Sequence, residues 1–188
     1  MNPTSTQMNP IQSIRLYFAK ARYLSQHLLI ATLLFVGFPG SAQTNTWDGS
    51  SNANWNTAAN WSLNQVPTAA HDVVIPNGGS RATITVNTAA VCKSLVMTGG
   101  NATNTINISG TNSLSISGAL TIGASSRNNR YKTLNVNDGT LSAGTISITA
   151  VSGANRAGSV TLNNGTVNVA GFISMGDYTT FDFTDSGI

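Results

Sequence analysis

The chain contains no glutamate, one cysteine and two histidines, and only 8% of its 188 residues are charged. Each scarcity excludes a class of function. Cys92 alone cannot build a disulfide framework. With His71 it supplies the only Cys or His beyond residue 42, too few for a zinc cluster. The formal charge of +3 is equally uninformative about a partner. Arg15, Lys20 and Arg22 precede the apolar run Leu28 to Phe38, which leaves Arg81, Lys93, Arg127, Arg130, Lys132 and Arg156 against 6 aspartates. The body of the chain is therefore neutral. It has no Lys/Arg cluster interleaved with aromatics, which argues against nucleic acid. No cofactor or metal is implied. Glycine, asparagine, serine and threonine are abundant beside 40% hydrophobic residues, so a packed core is within reach. Helix formers are scarce, which points to an all-β fold.

The basic stretch, the apolar run and the small residues of Pro39-Gly40-Ser41-Ala42 follow the three-part plan of a secretory signal peptide. The apolar run is about half the roughly 20 residues needed to span a bilayer, so no membrane span is expected after cleavage. Residues 1–42 are read as a leader cleaved after Ala42, 43–80 as a Trp-rich N-terminal cap, and 81–188 as repeats.

Those repeats return with an interval close to 26 residues. Ile106-Asn-Ile108, Leu134-Asn-Val136 and Val160-Thr-Leu162 each alternate apolar and polar residues. Turn residues follow at Gly110-Thr-Asn112, Asn137-Asp138-Gly139 and Asn163-Asn164-Gly165. Alternation resumes at Leu114-Ser-Ile116, Leu141-Ser-Ala143 and Val167-Asn-Val169. Beyond Gly118, Gly144 and Gly171 come Leu120-Thr-Ile122, Ile146-Ser-Ile148 and Ile173-Ser-Met175. Period-2 strands send Ile, Leu and Val to one face and Ser, Thr and Asn to the other. One unit cannot bury its apolar side, but stacked units can. The expected fold is a right-handed parallel β-helix of about four coils, counting a looser one from Thr83 to Met97. An antiparallel sandwich also accommodates Asn-Gly turns, but it has no reason to repeat the same strand and corner order.

All three tryptophans lie just after the leader, in Trp47-Asp48-Gly49, Asn54-Trp55 and Asn60-Trp61-Ser62, followed by Val66-Pro67-Thr68 and Asp72-Val-Val-Ile-Pro76. Two roles fit them: a cap over the first coil, or a platform on which exposed indoles stack against pyranose faces. This order of motifs resembles the opening of large secreted bacterial β-helical surface proteins and adhesins, many of which carry a C-terminal type IX secretion sorting domain. A weaker similarity is to the glycine-rich G8 module. The resemblance implies export to the cell surface and a scaffold rather than a chemistry. Phe181-Asp-Phe183-Thr-Asp185 reads as the beginning of another coil, so the chain is expected to be a piece of a longer protein.

Candidate chemistry is thin. Polysaccharide lyases and hydrolases need carboxylates or a base converging on a groove. Asp138 is replaced by Asn164 one coil later, so no acidic column forms. Asp177, Asp182 and Asp185 could hold calcium, although their spacing matches no established ligand loop. His71 and Asp72 are adjacent on an extended segment and point to opposite faces. No Gly-x-Ser-x-Gly elbow is present. Cys92 reads as a small core residue, and Arg127-Asn-Asn-Arg130-Tyr-Lys132 as a solvated corner that could touch an anionic glycan. Outward positions mix Ser, Asn and Thr, so the Thr83-Ile-Thr85 pair does not extend into an ice-matching column. The expectation is a non-catalytic, exported structural or adhesive segment of a bacterial surface protein. The alternative is a carbohydrate-binding or accessory module, with Trp47, Trp55 and Trp61 as the sugar-contacting residues and a glycan or cell-surface component as partner.

Overall fold

Alternating sequence becomes alternating burial in every central strand: Asn104–Ser109 and Lys132–Asn137 each hide every second side chain. A computed structural model describes residues 42–78, 81–98, 100, 102–123, 131–149, 158–177 and 179–184. Residues 1–41 of the expected leader 1–42, the corner residues Arg127 and Arg130, and Asp185 lie outside the described residues. All described elements belong to one unit, Ala42–Ile188. In chain order the strands are β1 Gln43–Thr46, β2 His71–Ile75, β3 Thr83–Val86, β4 Ala89–Cys92, β5 Ser94–Met97, β6 Asn104–Ser109 and β7 Ser113–Ile122. They continue with β8 Lys132–Asn137, β9 Thr140–Ile148, β10 Gly158–Asn163, β11 Thr166–Val169, β12 Ile173–Met175 and β13 Thr180–Thr184. No α-helix occurs among the described residues.

Every strand pairing is parallel, and together the pairings trace a β-solenoid. One face stacks β3, β6, β8, β10 and β13, so Ile84, Ile106, Leu134, Val160 and Phe181 form a single inward column. The second stacks β4 with the first halves of β7 and β9 and then β11. The third runs β1, β2, β5, the second halves of β7 and β9, and β12. Four coils result: β3–β5, β6–β7, β8–β9 and β10–β12. The repeats seen in the sequence are thus in register. The ladder, however, already includes β1 and β2, so it runs straight through the expected boundary at residue 80. His71-Asp-Val-Val-Ile75 alternates in period 2, with His71, Val73 and Ile75 buried, and that is what places it in the sheet.

Two corners depend on particular residues. Gly110, Asp138 and Asn164 occupy one position in successive coils, with φ of 62°, 58° and 53°. Glycine, asparagine and aspartate tolerate this left-handed region at little cost. The side chain of Asn164 also donates to Asp138 Oδ1 across the coil step, at 2.6 Å. At the other corner, where β7 and β9 bend, the backbone N–H of Gly118 donates to Lys93 O and that of Gly171 to Gly144 O, both at 2.8 Å. A Cβ on Gly144 would lie 2.8 Å from the carbonyl oxygens of Ser117 and Gly118. Gly144→Val is therefore expected to force adjacent coils apart and to cost about 1–3 kcal/mol by overpacking. Gly110 has nothing within 4 Å of such a Cβ, so Gly110→Asn should stay within about 0.5 kcal/mol of the parent. Urea unfolding midpoints of the two variants check this contrast.

Candidate functional site

The first coil is closed by the tryptophans. The N–H of Trp47 donates to Val74 O at 2.9 Å, which carries β1 onward and sets the indole over the column containing Ile75, Met97 and Ile122. Trp55 N–H donates to Thr85 O at 2.9 Å and sets its ring over the column of Val86, Ile108 and Val136. Trp61 packs edge-on against both, with ring centroids 5.1 Å from Trp47 and 4.8 Å from Trp55. The three side chains are 0%, 0% and 2% exposed. Stacking on a sugar needs an indole face open to solvent, and none of the three offers one. The assignment of Trp47, Trp55 and Trp61 as sugar-contacting residues is corrected accordingly: they form an interior plug, as the cap reading required.

Local chemistry explains the motifs. Gly49 sits at φ 62°, and a Cβ there would lie 2.9 Å from Trp47 Nε1, so Trp-Asp-Gly is a tryptophan with a glycine laid over its edge. Asn60, fully buried, accepts from Ser51 N–H and Asn52 N–H and donates to Asn52 Oδ1 and Asn54 O, all within 2.9–3.0 Å. Trp61 Nε1 donates to Trp55 O at 2.7 Å. Asn45, also fully buried, accepts from Leu63 N–H at 3.2 Å and donates to Gln65 O at 2.8 Å. Sequence reasoning did not single out Asn45 or Asn60, although an asparagine directly before a tryptophan was the available signal for Asn60.

A second feature was not anticipated. The register lines up Val91, Ser115, Ser142 and Asn168 on the outer side of the second face. With Gly144 and Ala170 they line an open trough of about 650 Å³ that crosses the coils. Its polar groups are hydroxyls and one carboxamide, and Val91 stands 42% exposed at one end. Elsewhere the outer face continues the theme: Asn135 Nδ2 donates to Asn107 Oδ1 at 2.9 Å, and Ser159 Oγ to Thr133 Oγ1 at 3.2 Å.

The titratable groups are dispersed. His71 is turned inward and its Nδ1 accepts from Thr68 N–H at 3.0 Å. Asp72 faces out, accepting from Ser94 Oγ at 2.6 Å with Lys93 Nζ 3.6 Å away. The two side chains are not brought together. Cys92 is buried, and desolvation, reinforced by the charge of Asp72, pushes its thiol up to about 12. It remains protonated at neutral pH and is no nucleophile. Among the described residues no three His, Cys, Asp or Glu side chains are grouped to hold a metal. No helix there is long and apolar enough to cross a membrane.

Lys132 departs from expectation. It does not lie in a solvated corner but opens β8 in phase with Leu134 and Val136, so alternation sends it inside, 0% exposed. Its ammonium donates to Ala102 O and Asn104 Oδ1, both at 2.5 Å, and to Asn77 Oδ1 at 3.4 Å. Three neutral acceptors match three donors. Burial lowers its pKa from the ordinary 10.5, which means the unfolded chain holds this proton more tightly than the folded one. Stability linked to Lys132 therefore rises with pH between the lowered value and 10.5. The thiol of Cys92, whose pKa is raised, acts oppositely above pH 9.0, but it is common to parent and variant. Denaturant midpoints of parent and Lys132→Met should diverge in favour of the parent from pH 7 to pH 10. An unchanged difference would show that the ammonium is not desolvated.

The class defined by this geometry is a parallel β-solenoid with a tryptophan-plugged first coil and an outer face that carries few charges. Residues 46–181 match the family described as a domain of unknown function (DUF8693), and the chain belongs to that family. No curated protein and no solved structure matches it.

Proposed function

We propose that the chain is a non-catalytic structural or adhesive β-solenoid segment of a bacterial surface or secreted protein. The observation that carries this reading is the pairing of a continuous aliphatic interior with an outer face of Ser, Thr and Asn side chains bonded from coil to coil. Such a stack is stiff because each strand is hydrogen-bonded above and below, and each inward aliphatic contributes about 1.5–3 kcal/mol on burial. Its outer face offers many weak hydroxyl and amide contacts rather than one convergent set of reacting groups. The signal-like leader and the resemblance to exported adhesins support secretion and display at the cell surface.

A second reading, a carbohydrate-binding or accessory module, draws on the trough along Val91, Ser115, Ser142 and Asn168, whose uncharged lining suits a neutral chain. A panel of surface polysaccharides titrated against the protein separates the two readings. Saturable binding lost in Ser115→Val/Ser142→Val favours the module, whereas protease resistance without saturable binding favours the structural segment. Release of reducing ends or unsaturated sugars by the purified protein contradicts a non-catalytic role. Recovery of the chain outside intact cells, with its N-terminus at Gln43, tests the export reading.

A further inference from the structure

Two polar side chains meet inside the solenoid where the neighbouring rows are aliphatic. Asn104 and Lys132 are register partners on β6 and β8, as are Ile106 with Leu134 and Ile108 with Val136. Alternation turns all six inward, and Asn104 and Lys132 are 1% and 0% exposed. The Nζ of Lys132 lies 2.5 Å from Asn104 Oδ1 and 3.4 Å from Asn77 Oδ1. Its partners are all neutral oxygens. The ion pair found among the described residues joins Lys93 to Asp72, so no carboxylate there balances the buried charge of Lys132. A buried ammonium without a counter-charge is costly. Desolvation lowers its pKa, and a desolvated lysine amine is a nucleophile.

We infer that Lys132 and Asn104 are a modification site at which the folded chain joins itself through an amide bond. The Nζ attacks Cγ of Asn104, a new N–C bond forms and the bond from Cγ to Nδ2 breaks. Two of the three ammonium protons leave with Nδ2 as an ammonium ion. No oxidant, reductant or co-reactant is needed. The reaction carries the buried positive charge out to water and leaves a neutral amide, so the cost of the unpaired ammonium favours it. Strand register holds the two groups in contact, which makes the condensation intramolecular. Asn104 rather than Asn77 is the partner because it is the nearer and stands opposite Lys132 on a hydrogen-bonded neighbouring strand. The link ties the second coil to the third through β6 and β8. That suits a structural or adhesive segment but does not depend on that reading.

Tryptic mapping of the purified full chain by mass spectrometry, after incubation at neutral pH, tests this. The expected product is a branched peptide in which residues 94–127 are joined to residues 131–156, uncleaved after Lys132 and lighter than the two together by one ammonia. The mass of the whole chain does not suffice, because an N-terminal Gln43 also cyclises with loss of ammonia. Lys132→Met and Asn104→Ala should each abolish the branch, Asn77→Ala should keep it, and a chain held in urea throughout should not form it. The pH-dependent divergence between parent and Lys132→Met belongs to the unlinked chain and should fade as the branch accumulates. Unlinked peptides throughout the map of the parent, a branch at Asn77, or a branch formed equally well in urea would each overturn the inference.

Discussion

Trp61→Ala is expected to lower the unfolding free energy by about 3–5 kcal/mol, among the largest effects a single truncation produces. Trp61 is 2% exposed and joins the other two indoles edge to face. Truncating it removes both aromatic contacts and leaves the carbonyl of Trp55 without the 2.7 Å bond it accepts. Trp55 Nε1 already lacks a partner among the described residues, a burial that costs about 1–3 kcal/mol, so the plug has little tolerance for further loss. A surface platform would behave otherwise. An exposed tryptophan that serves a ligand can be truncated within about 0.5 kcal/mol. Urea unfolding of the parent and variant, followed by circular dichroism, decides between a loss of several kcal/mol and almost none.

Leu134→Ala should cost about 2–5 kcal/mol, for a different reason. Leu134 is fully buried at the middle of its column, with Ile106 on one side and Val160 on the other. Paired strands on both sides hold the backbone, so the site cannot collapse around the missing atoms and the cavity persists. Thr121, between Val96 and Ser147 on the outer side, provides the contrast. Thr121→Ala should stay within about 0.5 kcal/mol. Equal effects at the two positions would contradict the inward and outward assignment on which the columns rest.

Much of this was legible in the sequence, because a stacked fold writes its geometry as repetition. The triplets around Ile106, Leu134 and Val160 align by eye, and the structure stacks them in the same register. The turns at Asn137-Asp138-Gly139 and Asn163-Asn164-Gly165 were readable because left-handed backbone limits the residues that can stand there. Other features resisted for physical reasons. In the sequence the charge of Lys132 groups it with the basic corner and masks its phase with Leu134, and the three oxygens that make its burial tolerable come from Asn77, Ala102 and Asn104, scattered along the chain. The tryptophans were ambiguous because an indole is both a large apolar body and a polar handle. Which aspect is used depends on Val74 and Thr85, the strand partners that draw Trp47 and Trp55 over the columns. The trough was illegible because it exists only once Val91, Ser115, Ser142 and Asn168 are brought side by side.

A crystal structure of residues 43–188 tests the central claim most directly. The account requires Ile106, Leu134 and Val160 to lie one above another at about 4.8 Å intervals, on strands running the same way. Neighbouring strands running in opposite directions, in two facing layers with these residues on separate strands of a sandwich, would contradict it.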